Sequence, residues 1–495
     1  MTCAEHLENV RAIFRRLDEF RSLEGLFRYD QWTSLPPGGA AWRARLMGRL
    51  AEDKAALLAS PEVRKTAEYY SAVPPDEIDD EIDRAQVRIF LSEYRRTAGV
   101  PAELLHEHSC LKGPVAAAWR EAKAKKDYLL FAPWLEKAFD IRARMARAVA
   151  PDRPVFETIV GQTDEGFTLG EISRELEKLR NGIAALLKKI PPCETPDFMR
   201  EEYDPDAVTE FGKKLAYFNG LDETCVTFND RGVHGLTNRP GPRDARISWA
   251  RSGRLDVLFT LMHEGGHAME STRTDERPAE AGLWGGVTGA VHEGVARFYE
   301  NIVGRSREYW QWHYPELQKA LPGLNGVSLD KFYEGINAVR PSARRISADE
   351  VTYSLHIIVR FELEKAFFDG DLKAADLRDA WNEKYRTLLG VTPRDDAEGI
   401  LQDMHWAGDY IGYFQSYALG NIIGGQLRSS LLRDVPSAFA NLSSGDIAPL
   451  DAWMQEKVFR HGRALSAPEL LKRAAGATLD AGAYLDYLNE KFARR

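Results

Sequence analysis

His263-Glu264-Gly265-Gly266-His267 sets two imidazoles four residues apart with a carboxylate beside the first. Four residues is about one helical turn, so both rings lie on one face and reach a single tetrahedral zinc ion. Glu264 is offset by about 100° around the helix from His263, which rules it out as a ligand of the same ion and stands it next to the water in the open coordination position. A carboxylate there takes the proton of a water attacking a carbonyl and passes it to the leaving amine. The five residues spell the chemistry of a zinc peptidase.

That chemistry requires a helix. Leu255, Leu258, Phe259 and Met262 recur at i, i+3, i+4 and i+7, which predicts an amphipathic helix running into the motif. Gly265 and Gly266 each cost about 1 kcal/mol against alanine in such a helix. Their presence is expected where another backbone or the substrate approaches closely. A catalytic zinc takes a third protein ligand. The predicted helix Val287–Glu300 supplies Glu293 as the expected one, with His292 a competitor, because adjacent side chains cannot both point at one ion.

The remaining elements must hold these two helices. With 495 residues, 44% hydrophobic and 28% charged, the chain has ample material for a core. A net charge of −9 argues against nucleic acid and anionic membrane surfaces as partners. Four scattered cysteines, Cys3, Cys110, Cys193 and Cys225, form neither a C-x-x-C pair nor a disulfide framework. The first residues are a charged amphipathic segment without a secretory apolar core, and no apolar run spans a bilayer; a cytoplasmic location is the expectation.

Long amphipathic helices are predicted to about residue 150, broken at Leu35-Pro-Pro-Gly-Gly39 and at Val100-Pro101, as walls and a lid. Glycine, proline and β-branched residues between Cys225 and Trp249 predict one small sheet. Helices are expected again over 288–303, 348–369, 373–388 and 407–432, followed by shorter ones to 493. Length alone would allow about three domains. With no repeat, low-complexity tract or long linker, the expectation is a mainly α, single helical domain over 1–495, with a deep central cleft, a wall region 1–150 and a catalytic region 200–430.

Further motifs appear in order. Asp244-Ala-Arg-Ile-Ser248, His263 to His267, His292-Glu293-Gly294, Arg344-Arg-Ile-Ser-Ala-Asp349 and Gly399-Ile-Leu-Gln-Asp-Met-His-Trp406 together resemble the motif set of the carboxypeptidase Taq family of metallocarboxypeptidases. Tyr29 to Gly39 and Tyr413 to Asn421 are similar to further family segments. The departures are local: Ser248 replaces threonine, Gly294 replaces serine, Arg344 replaces isoleucine, and His234-Gly stands where the family often has His-Pro.

The resemblance implies the helical, deep-grooved architecture shared with neurolysin and angiotensin-converting enzyme. It also implies one zinc ion per chain, with cobalt or another divalent ion able to replace it, and a homodimer. The expected reaction removes single C-terminal amino acids, with broad specificity, from unstructured peptides with a free C-terminus. A zinc oligopeptidase or dipeptidase, or a catalytically silent helical binding protein, are the alternatives. Arg345 is the expected anchor for the substrate α-carboxylate, since a guanidinium pairs with it through charge-assisted hydrogen bonds, and Arg246 is the second choice. Either arginine could instead be an ion-pair partner of Asp244 or Asp349. Tyr417 and His405 are the expected donors to the developing oxyanion. Gln402 and Asp403 are expected only to orient neighbours.

Overall fold

A computed structural model describes residues 2–191 and 193–493. Four helices, Cys3–Thr33, Ala40–Leu58, Pro61–Ala72 and Glu81–Ala98, open the chain. Thr2 and Glu5 form a capping box at the first, Pro37–Gly39 makes a 3₁₀ turn after it, and Asp80 caps the fourth. They enclose their own apolar cluster, with Val10, Phe14, Leu58, Tyr70 and Phe90, closed on the far side by Leu283 and Ala464. A much larger core begins near Val115 and continues to Phe492.

The predicted sheet is present. Strand β1 (Val226–Asn229) pairs in parallel with β3 (Asp244–Ala250), and β3 pairs antiparallel with β2 (Arg231–Gly241), giving the order β1-β3-β2. Register breaks on β2 between Arg231 and Leu236 bend that edge strand where glycines Gly232 and Gly235 lie. Against this sheet packs the helix Asp256–Thr272, which carries the histidines. It is more buried than an amphipathic helix at a surface: from Val257 to Thr272 only Thr260 and His263 are even partly exposed.

Downstream the helices start later than the apolar periodicity suggests. Instead of 348–369 the helix is Tyr353–Asp369, because the Asp349 carboxylate accepts from the Val351 and Thr352 amides and the Thr352 hydroxyl and folds 349–352 into a turn. Instead of 407–432 it is Phe414–Asp434, since Asp409 and Gly412 adopt φ of +69° and +72°, which no α-helix accepts. Residues 288–303 divide into an α-helix, Gly289–Arg297, and a π-helical turn, Phe298–Val303. The predicted 373–388 is a 3₁₀ turn followed by Leu377–Leu389.

Candidate metal centre

His263 and His267 present their Nε2 atoms 3.1 Å apart. Glu293, from helix Gly289–Arg297, brings Oε2 to 3.8 Å from the first and Oε1 to 3.9 Å from the second. The three ligand atoms lie within 4.8 Å of one another, and Glu293 Oε2 is buried without a hydrogen-bond partner. Two imidazoles and a carboxylate around an orphaned oxygen fit a divalent transition metal with an open position. His292 is elsewhere: its Nδ1 meets the Glu270 carboxylate and, at 3.2 Å, Arg239 Nη1, while its ring centroid lies 3.9 Å from that of His267 with the planes tilted by 34°. Burial, then the neighbouring His292 and His263, hold the His267 pKa well below its ordinary value, leaving it the neutral imidazole a metal needs.

Close packing between helices sets these positions. A Cβ on Gly266 would come within 2.9 Å of Ala296 Cα on the Glu293 helix, and one on Gly265 within 3.3 Å of Ala216 Cβ. Across the other side, a Cβ on Gly420 of helix Phe414–Asp434 would meet Glu293 Cβ at 2.6 Å. Gly294 is explained by the same interface, because its missing side chain would run into Ile423 Cγ2 at 2.8 Å. The fully buried Asp164 carboxylate then ties the two helix starts, accepting from the Ala290 amide at 2.7 Å, Ser416 Oγ at 2.7 Å and Gln415 Nε2 at 2.9 Å. Burial pushes its carboxyl up to about 6 despite those donors.

Around the donors stand residues that the motif reading passed over. Glu300 accepts from His263 Nδ1 at 2.9 Å and from Arg297 at 2.8 Å. Burial opposes its charge, yet Arg297 and His263 hold its carboxyl down at about 2. Glu300 is seven residues beyond Glu293, which on a regular α-helix is two turns along one face, a spacing that could have flagged it. Glu264 accepts from Thr237 Oγ1 at 2.7 Å, and Gly235 lets β2 close on it, since a Cβ there would sit 2.7 Å from Glu264 Oε1. Burial raises the Glu264 carboxyl above its ordinary value, against the pull of His263 and Thr237. No sequence spacing links Thr237 to Glu264; only the sheet brings them together.

A second polar cluster contains Tyr417, His405 and Arg345. Tyr417 Oη lies 3.0 Å from His405 Nε2, and the Arg345 guanidinium sits 5.1 Å over the Tyr417 ring. Arg345 donates to Asp403 Oδ1 through Nε and Nη2, at 3.0 and 2.9 Å, and to Tyr353 Oη at 3.0 Å, while Gln402 accepts from its amide. Asp403 is shared: Arg360 Nε reaches its other oxygen at 2.7 Å. Burial, then Arg345, lower the His405 pKa to about 3, so it is neutral at physiological pH. Burial, then the Glu293 carboxylate, keep Tyr417 protonated far above the usual phenol range. Arg246, by contrast, is engaged bidentately by Asp244 at 3.0 and 2.9 Å and is joined by no hydrogen bond, ion pair or ring contact to the histidines, Glu264 or Glu293 among the described residues.

A mainly α scaffold with an HExxH helix, a glutamate on a following helix and a small flanking sheet defines a helical metallopeptidase. Residues 9–492 match the family model described as Carboxypeptidase Taq (M32) metallopeptidase, and the chain belongs to that family. It is 32% identical to carboxypeptidase 1 of Bacillus subtilis (strain 168), over 97% of this chain and 96% of that one. To thermostable carboxypeptidase 1 of Pyrococcus furiosus it is 32% identical, over 99% and 98%. The M32 carboxypeptidase of Deinococcus radiodurans R1 superposes with a TM-score of 0.93 at 30% identity, over 99% of each chain. The protein is a peptide hydrolase of the metallocarboxypeptidase type, and its family implies a divalent metal ion.

Proposed function

We propose that His263, His267 and Glu293 hold zinc, with cobalt or another divalent ion as substitutes, and that the chain removes single C-terminal residues from unstructured peptides. Bound zinc supplies Lewis-acid polarisation of the scissile carbonyl and acidifies water. Glu264, held by Thr237, takes the proton of the attacking water and delivers it to the departing amine nitrogen. In the His405 tautomer that carries its hydrogen on Nε2, that N–H donates to Tyr417 Oη across 3.0 Å and leaves the phenol hydrogen free to reach the oxyanion formed at the carbonyl. Arg345 pairs with the substrate α-carboxylate, and Gln402 and Asp403 fix its orientation.

The observation that carries a carboxypeptidase over an internal cutter is the sharing of Asp403. Two buried guanidiniums, Arg345 and Arg360, share one carboxylate, so the cluster beside Tyr417 holds one more positive charge than Asp403 neutralises. A carboxylate from the substrate neutralises it. Arg246, neutralised by Asp244, offers less. The whole chain acts in this reading as one catalytic domain, with residues 1–150 as wall and lid and 200–430 as the catalytic region. It works on peptides rather than nucleic acid, in line with the charge of −9, and, as the family resemblance implies, as a homodimer, with a cytoplasmic location the expectation; among the described residues no helix is long and apolar enough to cross a bilayer.

The test compares one short peptide with a free C-terminus against its C-terminal amide. Amidation is expected to abolish release of the last residue, a loss of roughly 10² or more in kcat/KM for a lost charge-paired contact. Equal cleavage of both, or cuts within the chain, would replace exopeptidase action with oligopeptidase action.

A further inference from the structure

Away from the metal centre, a cavity of about 100 Å³ lies where helix Glu81–Ala98, residues 162–165, Thr288 and the turn 463–467 meet. Three guanidiniums line it, Arg88, Arg96 and Arg463, with two carboxylates, Glu93 and Glu165. Glu165 is occupied, accepting from Ser92 Oγ at 2.8 Å and Arg96 Nη2 at 3.3 Å. Arg88 donates to the Arg463 carbonyl at 2.8 Å and lies 3.7 Å from Glu469. The Arg463 guanidinium itself has no hydrogen bond or ion pair among the described residues, and neither has the Glu93 carboxylate. Burial and the nearby Arg21, Arg88 and Arg96 all oppose the charge on Arg463, pulling its pKa down to about 9, against which Glu93 acts alone. At neutral pH the group is still charged. A partly enclosed, unpaired cation among like charges is costly unless an anion completes it.

We propose that this cavity binds a small inorganic oxyanion, with Arg463 as the central donor and Arg88 and Arg96 flanking it. Its place gives it a role. The first four helices have their own apolar cluster, and near this cavity they are joined to the catalytic body by Arg88, by Ser92 and Arg96 through Glu165, and by Gln86 donating to the Ala281 carbonyl at 2.7 Å. An anion bridging Arg88 and Arg96 on one side to Arg463 on the other clamps the lid region onto the body. It does so just behind Asp164, which orders the Glu293 helix.

The experiment titrates the metal-loaded full chain with inorganic sulfate, holding ionic strength constant with gluconate, an anion too bulky for the cavity. Wild type is expected to show a saturable rise in unfolding temperature of about 3–5 °C by mass action. Arg463→Gln removes the central donor and should weaken the apparent affinity at least about tenfold while leaving metal content unchanged. Glu93→Gln, which removes an opposing charge, should tighten it about threefold or more, and this variant decides the matter if Arg463→Gln does not fold. A wild-type response no greater than in gluconate, an Arg463→Gln response equal to wild type (as for sulfate bound at the metal), or affinity unchanged or weakened in Glu93→Gln each overturns the site.

Discussion

His263 is oriented from behind, because the hydrogen bond from Nδ1 to Glu300 leaves Nε2 as the lone-pair atom facing His267 and Glu293. Replacing Glu300 with Gln removes the negative partner of that ring. Metal affinity, read by chelator competition, is expected to fall about 10- to 100-fold; unchanged affinity would show that His263 needs no such partner. Tyr417 is the donor proposed for the oxyanion. Its loss in Tyr417→Phe should lower kcat by about 10²–10³ with KM and metal content little changed, because a donor to the oxyanion acts on the transition state. A rise in KM with kcat retained would make the phenol a ground-state contact instead. Of these groups the histidines and Glu264 are legible from spacing alone and Glu293 only as one of two candidates beside His292, whereas Thr237 is invisible because its partner is 27 residues away and meets it only across the edge of the sheet.

Glycine sets the distances between elements. Helix Asp256–Thr272, helix Gly289–Arg297 and helix Phe414–Asp434 approach so closely that Gly266, Gly294 and Gly420 each occupy a place where a side chain would strike the neighbour. Gly266→Leu is therefore expected to push His267 away from Glu293 and to cost both metal binding and activity by more than about tenfold, measured as bound metal per chain and as turnover. Retention of both would mean that the interface yields. The Gly-Gly pair could be noticed in the sequence as an expense, but what it accommodates, the Ala296 backbone, could not be identified there.

Across the whole molecule, Glu364 links helix Tyr353–Asp369 to the segment bearing His405. It is fully buried, accepts from Trp406 Nε1 at 2.8 Å and from the Gly412 amide at 3.3 Å, and burial pushes its carboxyl from 4.5 up to about 8. Between those values the folded chain holds a proton that the unfolded chain has released, so this group makes stability fall as pH rises from about 4.5 to 8, and level off above. Glu364→Gln should abolish that slope and raise stability at pH 8 by an amount on the order of a few kcal/mol relative to wild type, with no difference below pH 4.5. Parallel wild-type and variant unfolding curves across this range would show that the carboxyl titrates normally.

What the sequence determined by itself was the chemistry and the kind of scaffold. One helical turn between His263 and His267, the glutamate between them, a His292-Glu293 pair on the next helix and the ordered motifs downstream are local patterns, and helical periodicity transmits local spacing faithfully into geometry. Tertiary structure alone decided which charges remain available. Arg246 and Arg345 look alike as residues, yet one is neutralised by a neighbour two positions away and the other shares Asp403 with Arg360, 43 residues before that aspartate. Similarly, His292 and Glu293 are both good ligands in a string of letters, and only the packing of Glu270 and Arg239 turns His292 away from the candidate metal centre. Electrostatic pairing depends on which side chains meet across the core, and contacts between distant segments leave no periodic trace in the chain.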